Sequence, residues 1–227
     1  MPMSDSNLPE WEHLLSAAAH LQQILAGATL VGGTAAAIYA QHRVSHDADH
    51  VLPDLRLRFD EVLAQLESVA GWRTARVNRP VMILGSLDGI ETGVRQLIRE
   101  QPLETQEVAI GGVRLRIPTE AEMLRIKAVL VLKRNATRDY LDFAAIAERI
   151  GSEKVKEALD LLDQLYPQPS GESVLQQLQI QLANPMPYDL ENTDLSEYKR
   201  LHPKWNDWNR VKELCTAIAV DLFQRLA

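Results

Sequence analysis

The chain has 227 residues, 46% hydrophobic and 24% charged, enough for one large globular domain or two small ones with a buried core. A formal net charge of −7 excludes a general nucleic-acid binder, because phosphate binding rests on Lys and Arg, so any such contact needs a local basic patch. Cys215 is the single cysteine, which excludes an internal disulfide and a four-cysteine zinc site and fits a reducing compartment.

Met1 to Glu12 is polar and acidic and is not expected to be a signal peptide. Glu10 to Leu25 carries Trp11, Leu14, Leu15, Ala18 and Leu21 at helical spacing. Thr29-Leu30-Val31 followed by Gly32-Gly33 predicts a buried strand and a tight turn. The Ala-rich run from Thr34 to Gln41 predicts a short helix with Thr34 as N-cap. The longest uncharged stretch, Leu21 to Gln41, is broken by Gln22, Gln23, Gly27, Gly32, Gly33 and Thr34, so no membrane span is expected and the protein reads as cytoplasmic. Ala48 to Leu52 predicts a second strand, and Arg56 to Ala70 an amphipathic helix closed by Gly71.

From Trp72 to Ile117 the pattern turns to strands. Val81–Leu84 and Ile90–Ile98 flank a Leu87-Asp88-Gly89 turn, and Val108–Ile110 and Val113–Ile117 flank Gly111-Gly112, which predicts two hairpins. Thr119 and Glu122 have capping-box spacing, and beyond them only helices are expected, over 119–134, 138–150, 153–165, 171–183 and 207–226. The expected fold is α+β: a small mixed-sheet core over 1–118, then a helical C-terminal domain over 119–227.

The chemistry-bearing stretch runs from Leu30 to Asp49. Two glycines let a backbone turn approach a ligand closely, and the following helix start offers free N–H groups to a phosphate. Asp47 and Asp49 alternate on the expected strand, so both carboxylates face one way. Paired carboxylates repel unless a cation sits between them, and Mg²⁺ (or Mn²⁺), which shares its oxygen ligands with substrate phosphates, suits that place. Neither a P-loop nor a G-x-G-x-x-G fingerprint is present. A second block, Lys127, Arg134, Arg138, Asp139 and Asp142, puts its three cations within about 20° of one helical stripe if the helix is continuous, although Asn135-Ala136-Thr137 is able to break it.

Gly32-Gly33-Thr34, then His42-Arg43-Val44-Ser45-His46-Asp47-Ala48-Asp49, resembles the signature of the AbiEii/AbiGii toxin family within the polymerase-β-type nucleotidyltransferases. The block Lys127…Arg134…Arg138-Asp139…Asp142 resembles that family's second motif. The resemblance implies transfer of a nucleoside monophosphate from an NTP to an acceptor hydroxyl, on an RNA end such as tRNA or a protein side chain. It also implies the toxin role of a toxin–antitoxin pair, with an antitoxin protein as partner. Asp47 and Asp49 would be catalytic and hold Mg²⁺. Gly32, Gly33, Thr34, Arg43, Lys127, Arg134 and Arg138 would bind the nucleotide. Such enzymes use a third carboxylate on a later strand, expected here near Gly93 or Val94; neither can serve, and Glu91 is the best substitute. The alternative is a nucleotide- or partner-binding module that kept the fold and lost the third acid.

Two rival readings concern other residues. His42, His46 and His50 are spaced by four, as on one metal-binding helix face, but Arg43 stands where H-E-x-x-H needs Glu. Trp72, Trp205 and Trp208 are able to stack on bases, although packing between helices is the more usual use of such residues, and the spacing of the last two suits one helix face.

Overall fold

The computed structural model describes residues 8–226; the expectation of no signal peptide rests largely on residues 1–7, outside the described residues. The chain divides into two compact units. A strand unit contains the chain up to Ala35 together with Ser45–Pro118, and a helical unit contains Ala36–Val44 together with Thr119 onward.

In the strand unit the order is α1 (Leu8–Ile24), β1 (Thr29–Leu30), the start of α2 (Gly32–Ala40), β2 (Asp47–Leu52), α3 (Phe59–Glu67), β3 (Trp72–Asn78), β4 (Met82–Leu87), β5 (Ile90–Gln96), β6 (Thr105–Ile110) and β7 (Val113–Pro118). The first five strands form a sheet in the order β1-β2-β5-β4-β3, with β2 parallel to β5 and the other pairs antiparallel. β6 and β7 form a separate hairpin. Asp88 and Gly89 both have positive φ, 53° and 82°, as a two-residue hairpin turn requires.

Period-two alternation decides what each sheet face carries. Leu52, Ile83, Leu87 and Val94 point into an apolar core shared with Leu21 of α1 and Phe59, Val62 and Leu66 of α3. The opposite face of β2 and β5 carries Asp47, Asp49 and Glu91. The helix expected over 56–70 is shorter, Phe59–Glu67, because the chain after Pro53 first makes turns in which the Leu57 and Arg58 amides bond to the Asp54 carbonyl. β3, which the sequence pattern does not delimit, is exposed along its length after Trp72 and lacks the apolar alternation that would mark a strand.

In the helical unit Thr119 caps α4 (Glu120–Arg134), its hydroxyl accepting from the Glu122 amide at 3.2 Å. Asn135 then turns left-handed at φ 48°, and α5 (Thr137–Ile150) starts afresh. The Asn135 side chain is fixed by accepting from the Tyr140 hydroxyl at 2.7 Å and donating to the Met186 carbonyl at 2.8 Å. The continuous cationic stripe from Lys127 to Arg138 therefore does not exist. The expected helix over 153–165 divides into α6 (Ser152–Leu159) and α7 (Leu162–Leu165). α8 (Val174–Ala183) begins later than expected because Ser173 caps it, and α9 (Trp208–Leu226) closes the chain. Among the described residues no helix is long and apolar enough to cross a membrane.

One boundary differs from the sequence expectation: Ala36–Val44 packs with the helices. Its end is tied there by backbone bonds, Val44 N–H to Lys199 O at 2.9 Å and His202 N–H to His42 O at 2.7 Å. Such long-range ties leave no mark in local periodicity.

Leu66 is fully buried in the strand-unit core. Leu66→Ala is expected to cost about 2–5 kcal/mol, read as a lower urea midpoint with an unchanged m-value.

Candidate active site

The acidic face of the strand unit is set by register. In the parallel β2–β5 pair Asp47 lies opposite Glu91 and Asp49 opposite Gly93, and partners in register point to the same face. Asp47 and Asp49 are half-buried, while Glu91 is exposed. The Asp47 carboxylate accepts from the Ser45 hydroxyl at 2.6 Å. The Arg95 guanidinium stands 3.8 Å from the Asp49 carboxylate and is the cation that faces it on β5. Arg95 was missed by sequence reasoning, although period two from Glu91 puts it on the same face.

The glycines have specific work here. A Cβ on Gly93 would lie 2.6 Å from a Leu84 methyl and 3.0 Å from Asp49 Oδ1, so the position expected to carry a third acid is closed by the carboxylate it would assist. Gly32 has φ 74°, and a Cβ there would meet the Asp49 side chain at 3.4 Å, so the turn lies directly against the second carboxylate. α2 starts at Gly32 rather than at Thr34, and Thr34 is not its cap. The buried Thr34 hydroxyl instead donates to the Asp47 carbonyl at 2.5 Å, fixing the helix start to the strand that bears the acids. Gly32, Gly33, Thr34, Asp47, Asp49 and Glu91 are thus assembled within one unit.

Two carboxylates suit a magnesium ion whose other oxygen ligands come from substrate and water. Among the described residues no group of three or more His, Cys, Asp or Glu is placed to hold a metal ion.

The remaining signature residues meet elsewhere, inside the helical unit. Asp142 of α5 is fully buried, accepts from His42 Nε2 at 2.7 Å, Arg43 Nε at 2.8 Å and Arg43 Nη2 at 3.0 Å, and is ion-paired with Lys127 Nζ at 2.6 Å. The Lys127 amine is also 3.6 Å from Asp139 and is itself buried. Lys127, expected on nucleotide phosphates, is thus committed to two aspartates. Burial alone raises the pKa of the Asp142 carboxyl, but Arg43, Lys127 and His42 together outweigh it and hold it well below the usual carboxylate range. Burial is the larger influence on His42 and lowers its pKa despite the bond to Asp142, so the ring is neutral and its Nε2–H donates. Arg43 also lies over the Tyr198 ring at 5.9 Å. Arg134 and Arg138 are exposed, at the end of α4 and the start of α5.

The histidine metal reading finds no support in these positions. His42 bonds to Asp142, His46 is exposed, and His50 is buried with Nδ1 2.9 Å from the Ala48 carbonyl. The tryptophans pack. Trp72 and Trp205 are buried, and Trp208 meets Tyr140 edge-on at 5.8 Å. Trp205 and Trp208 do not share a helix, since Pro203–Trp205 is a separate 3₁₀ turn before α9.

No family model matches the chain. The crystal structure of JHP933 from Helicobacter pylori is similar with a TM-score of 0.56 at 15% identity, over 98% of this chain and 96% of that one. The crystal structure of ANT(2")-Ia in complex with adenylyl-2"-tobramycin is similar with a TM-score of 0.51 at 14% identity, over 67% of this chain and 97% of that one. A Helicobacter pylori protein assigned as a nucleotidyltransferase gives 0.50 at 14% identity, over 98% of this chain and 97% of that one. At such identities the likeness is one of fold: a nucleotidyltransferase-like mixed sheet with a helical C-terminal region. A sequence relative, the heme uptake protein MmpL11 of Mycobacterium tuberculosis, is 36% identical over 129 residues, 56% of this chain. Its counterpart in Mycolicibacterium smegmatis, an exporter of mycolic acid-containing lipids, is 34% identical over the same length. The chain spans about 13% of the length of these relatives.

Removing the Asp142 carboxylate leaves buried cations unpaired. Asp142→Ala is expected to cost about 3–5 kcal/mol. Both His42 and Asp142 have depressed values in the folded state, so their contributions to stability hold above the ordinary values and are lost on acidification. Unfolding free energy should therefore fall as pH drops below about 6.5 through His42, and again below about 3.8 through Asp142. Urea titrations across pH check this, and the lower limb should flatten in Asp142→Asn.

Proposed function

We propose that this protein is a metal-dependent nucleotidyltransferase that moves a nucleoside monophosphate from an NTP to an acceptor hydroxyl. The observation that carries the reading is the placement of Asp47 and Asp49 on one face of β2, with Gly32 against Asp49 and Glu91 in register on β5. The fold likeness and the AbiEii/AbiGii-type signature support it. By the same resemblance the acceptor is an RNA end, such as that of tRNA, or a protein side chain. The cellular role is that of a cytoplasmic toxin countered by an antitoxin protein.

Asp47 and Asp49 would hold Mg²⁺ or Mn²⁺ with the triphosphate; the ion, when bound, neutralises phosphate oxygens and polarises the α-phosphorus. The Gly32–Gly33 turn and the first free amides of α2 offer donors to the phosphates. The acceptor oxygen attacks the α-phosphorus, the bond to the bridging oxygen breaks, and pyrophosphate leaves. The acceptor proton passes to Glu91, the carboxylate nearest in register to Asp47. Ser45 and Arg95 hold the two aspartates in orientation. Arg43 and Lys127 are paired with Asp142 inside the helical unit, where Arg134 and Arg138 are the signature cations left exposed.

A second reading is favoured by one observation: Gly93, not an acid, stands opposite Asp49, while Glu91 is exposed. A module that binds nucleotide without transfer would look the same.

The test is incubation with each labelled NTP, Mg²⁺, total RNA and total protein. Label is expected on a macromolecule. Asp47→Ala and Asp49→Ala should reduce transfer to background while leaving the urea midpoint unchanged, and Glu91→Gln should slow it by about 10²–10⁴-fold. Unchanged turnover in the aspartate variants would reject the assignment, and NTP binding without label transfer would select the second reading.

A further inference from the structure

The arginines of the strand unit fall into two kinds. Around the start of α3, Arg58 pairs with Asp54 at 2.7 Å and with Glu61 at 2.9 Å. Arg79 pairs with Asp60 and lies over the Phe59 ring at 4.9 Å. Arg58 and Arg79 line a surface groove of about 410 Å³ together with Arg56, and these two of its three arginines are paired with the groove's own Glu61 and Asp60. Arg73 and Arg76 on β3 differ. Both are exposed, and among the described residues neither side chain makes a hydrogen bond or ion pair.

Their direction is set by the sheet. Reading across it, Asp47, Glu91, Ser86 and Arg73 form one row, and Asp49, Gly93, Leu84 and Arg76 the next. Residues in register share a face, so the acids and both arginines stand on the same side, about three strand spacings or 14 Å apart. Residues three apart on a regular strand would point to opposite faces. The β-bulge between Thr74 and Arg76 adds one residue and brings Arg76 back beside Arg73. Charges on an edge strand also discourage strand-to-strand pairing, but that use does not require both on one face. Between the two ends lie the half-buried Ser86 and Leu84, with Gly93 buried beneath the Leu84 and Asp49 side chains. Bases are able to lie over the Leu84 side chain, while flanking cations take phosphates.

We infer that β3 is the docking track for a single-stranded polynucleotide, with Arg73 and Arg76 on its backbone phosphates and its acceptor hydroxyl directed along the sheet toward Asp47 and Asp49. The destination of the strand rests on the proposed transfer reaction; the track itself rests on register, bulge and charge. A chain of net charge −7 meets a polyanion through a local cationic strip or not at all.

The experiment measures binding of short fluorescein-labelled oligoribonucleotides and oligodeoxyribonucleotides to the full chain by anisotropy over a range of salt. Arg73→Ser/Arg76→Ser is compared with wild type and with Arg114→Ser, an exposed arginine on β7. The track predicts weaker binding in the double variant and a salt slope shallower by about 1.4, from 0.7 per lost phosphate contact. Arg114→Ser should leave both unchanged, and the two oligonucleotide types identify the source of the strand. Equal affinity and slope in the double variant, or self-association of that variant as its sole change, overturns the track. Salt-dependent binding without nucleotide transfer leaves the track standing and rejects the reaction. Transfer to a protein, with no oligonucleotide binding, does the reverse.

Discussion

Parallel pairing of β2 with β5 is the constraint on which the acidic face depends. It sets Asp47 against Glu91 and Asp49 against Gly93 and turns all of them away from the core. A slip of one residue would send the acids into the apolar layer formed by Leu52, Ile83 and Val94. Burial of that layer therefore protects the register, and the register positions the chemistry. The same alternation carries Arg95, Leu84 and Arg76 onto the acidic side, so one face gathers the acids, their counter-cation and the edge arginines.

The helical unit solves a different electrostatic problem. A buried carboxylate is costly unless paired and fully hydrogen-bonded. Asp142 meets that condition through hydrogen bonds from His42 and Arg43 and an ion pair with Lys127, drawn from two distant stretches of sequence. A pair of this kind adds little net stability against an apolar replacement, yet losing one partner is expensive. It ties the end of the Ala36–Val44 segment to α4 and α5 within the helical unit.

Much of the fold was legible because its signals are local. Hairpin turns at Asp88-Gly89 and Gly111-Gly112, the Thr119 cap and the apolar spacing of α1, α4, α5 and α9 all act within a few residues. The Asp-x-Asp face was legible for the same reason, since alternation on one strand needs no partner. β3 was not delimited, because an exposed edge strand carries no apolar period. Whether the stripe from Lys127 to Arg138 is continuous was left open by the sequence; it breaks at Asn135, whose left-handed turn is stabilised by Met186 and Tyr140, the former far along the chain.

By itself, the sequence determined the mixed α+β character, the glycine turn before the two acids, and the shared face of Asp47 and Asp49, each a product of short-range geometry. Only the tertiary structure decided the register that sets Glu91 opposite Asp47, that Lys127 is bound by Asp139 and Asp142, that Ala36–Val44 joins the helices, and that a bulge aligns Arg73 with Arg76. Those outcomes depend on strand register and on ion pairs between separate segments, and neither is encoded in the spacing of neighbours along a single segment.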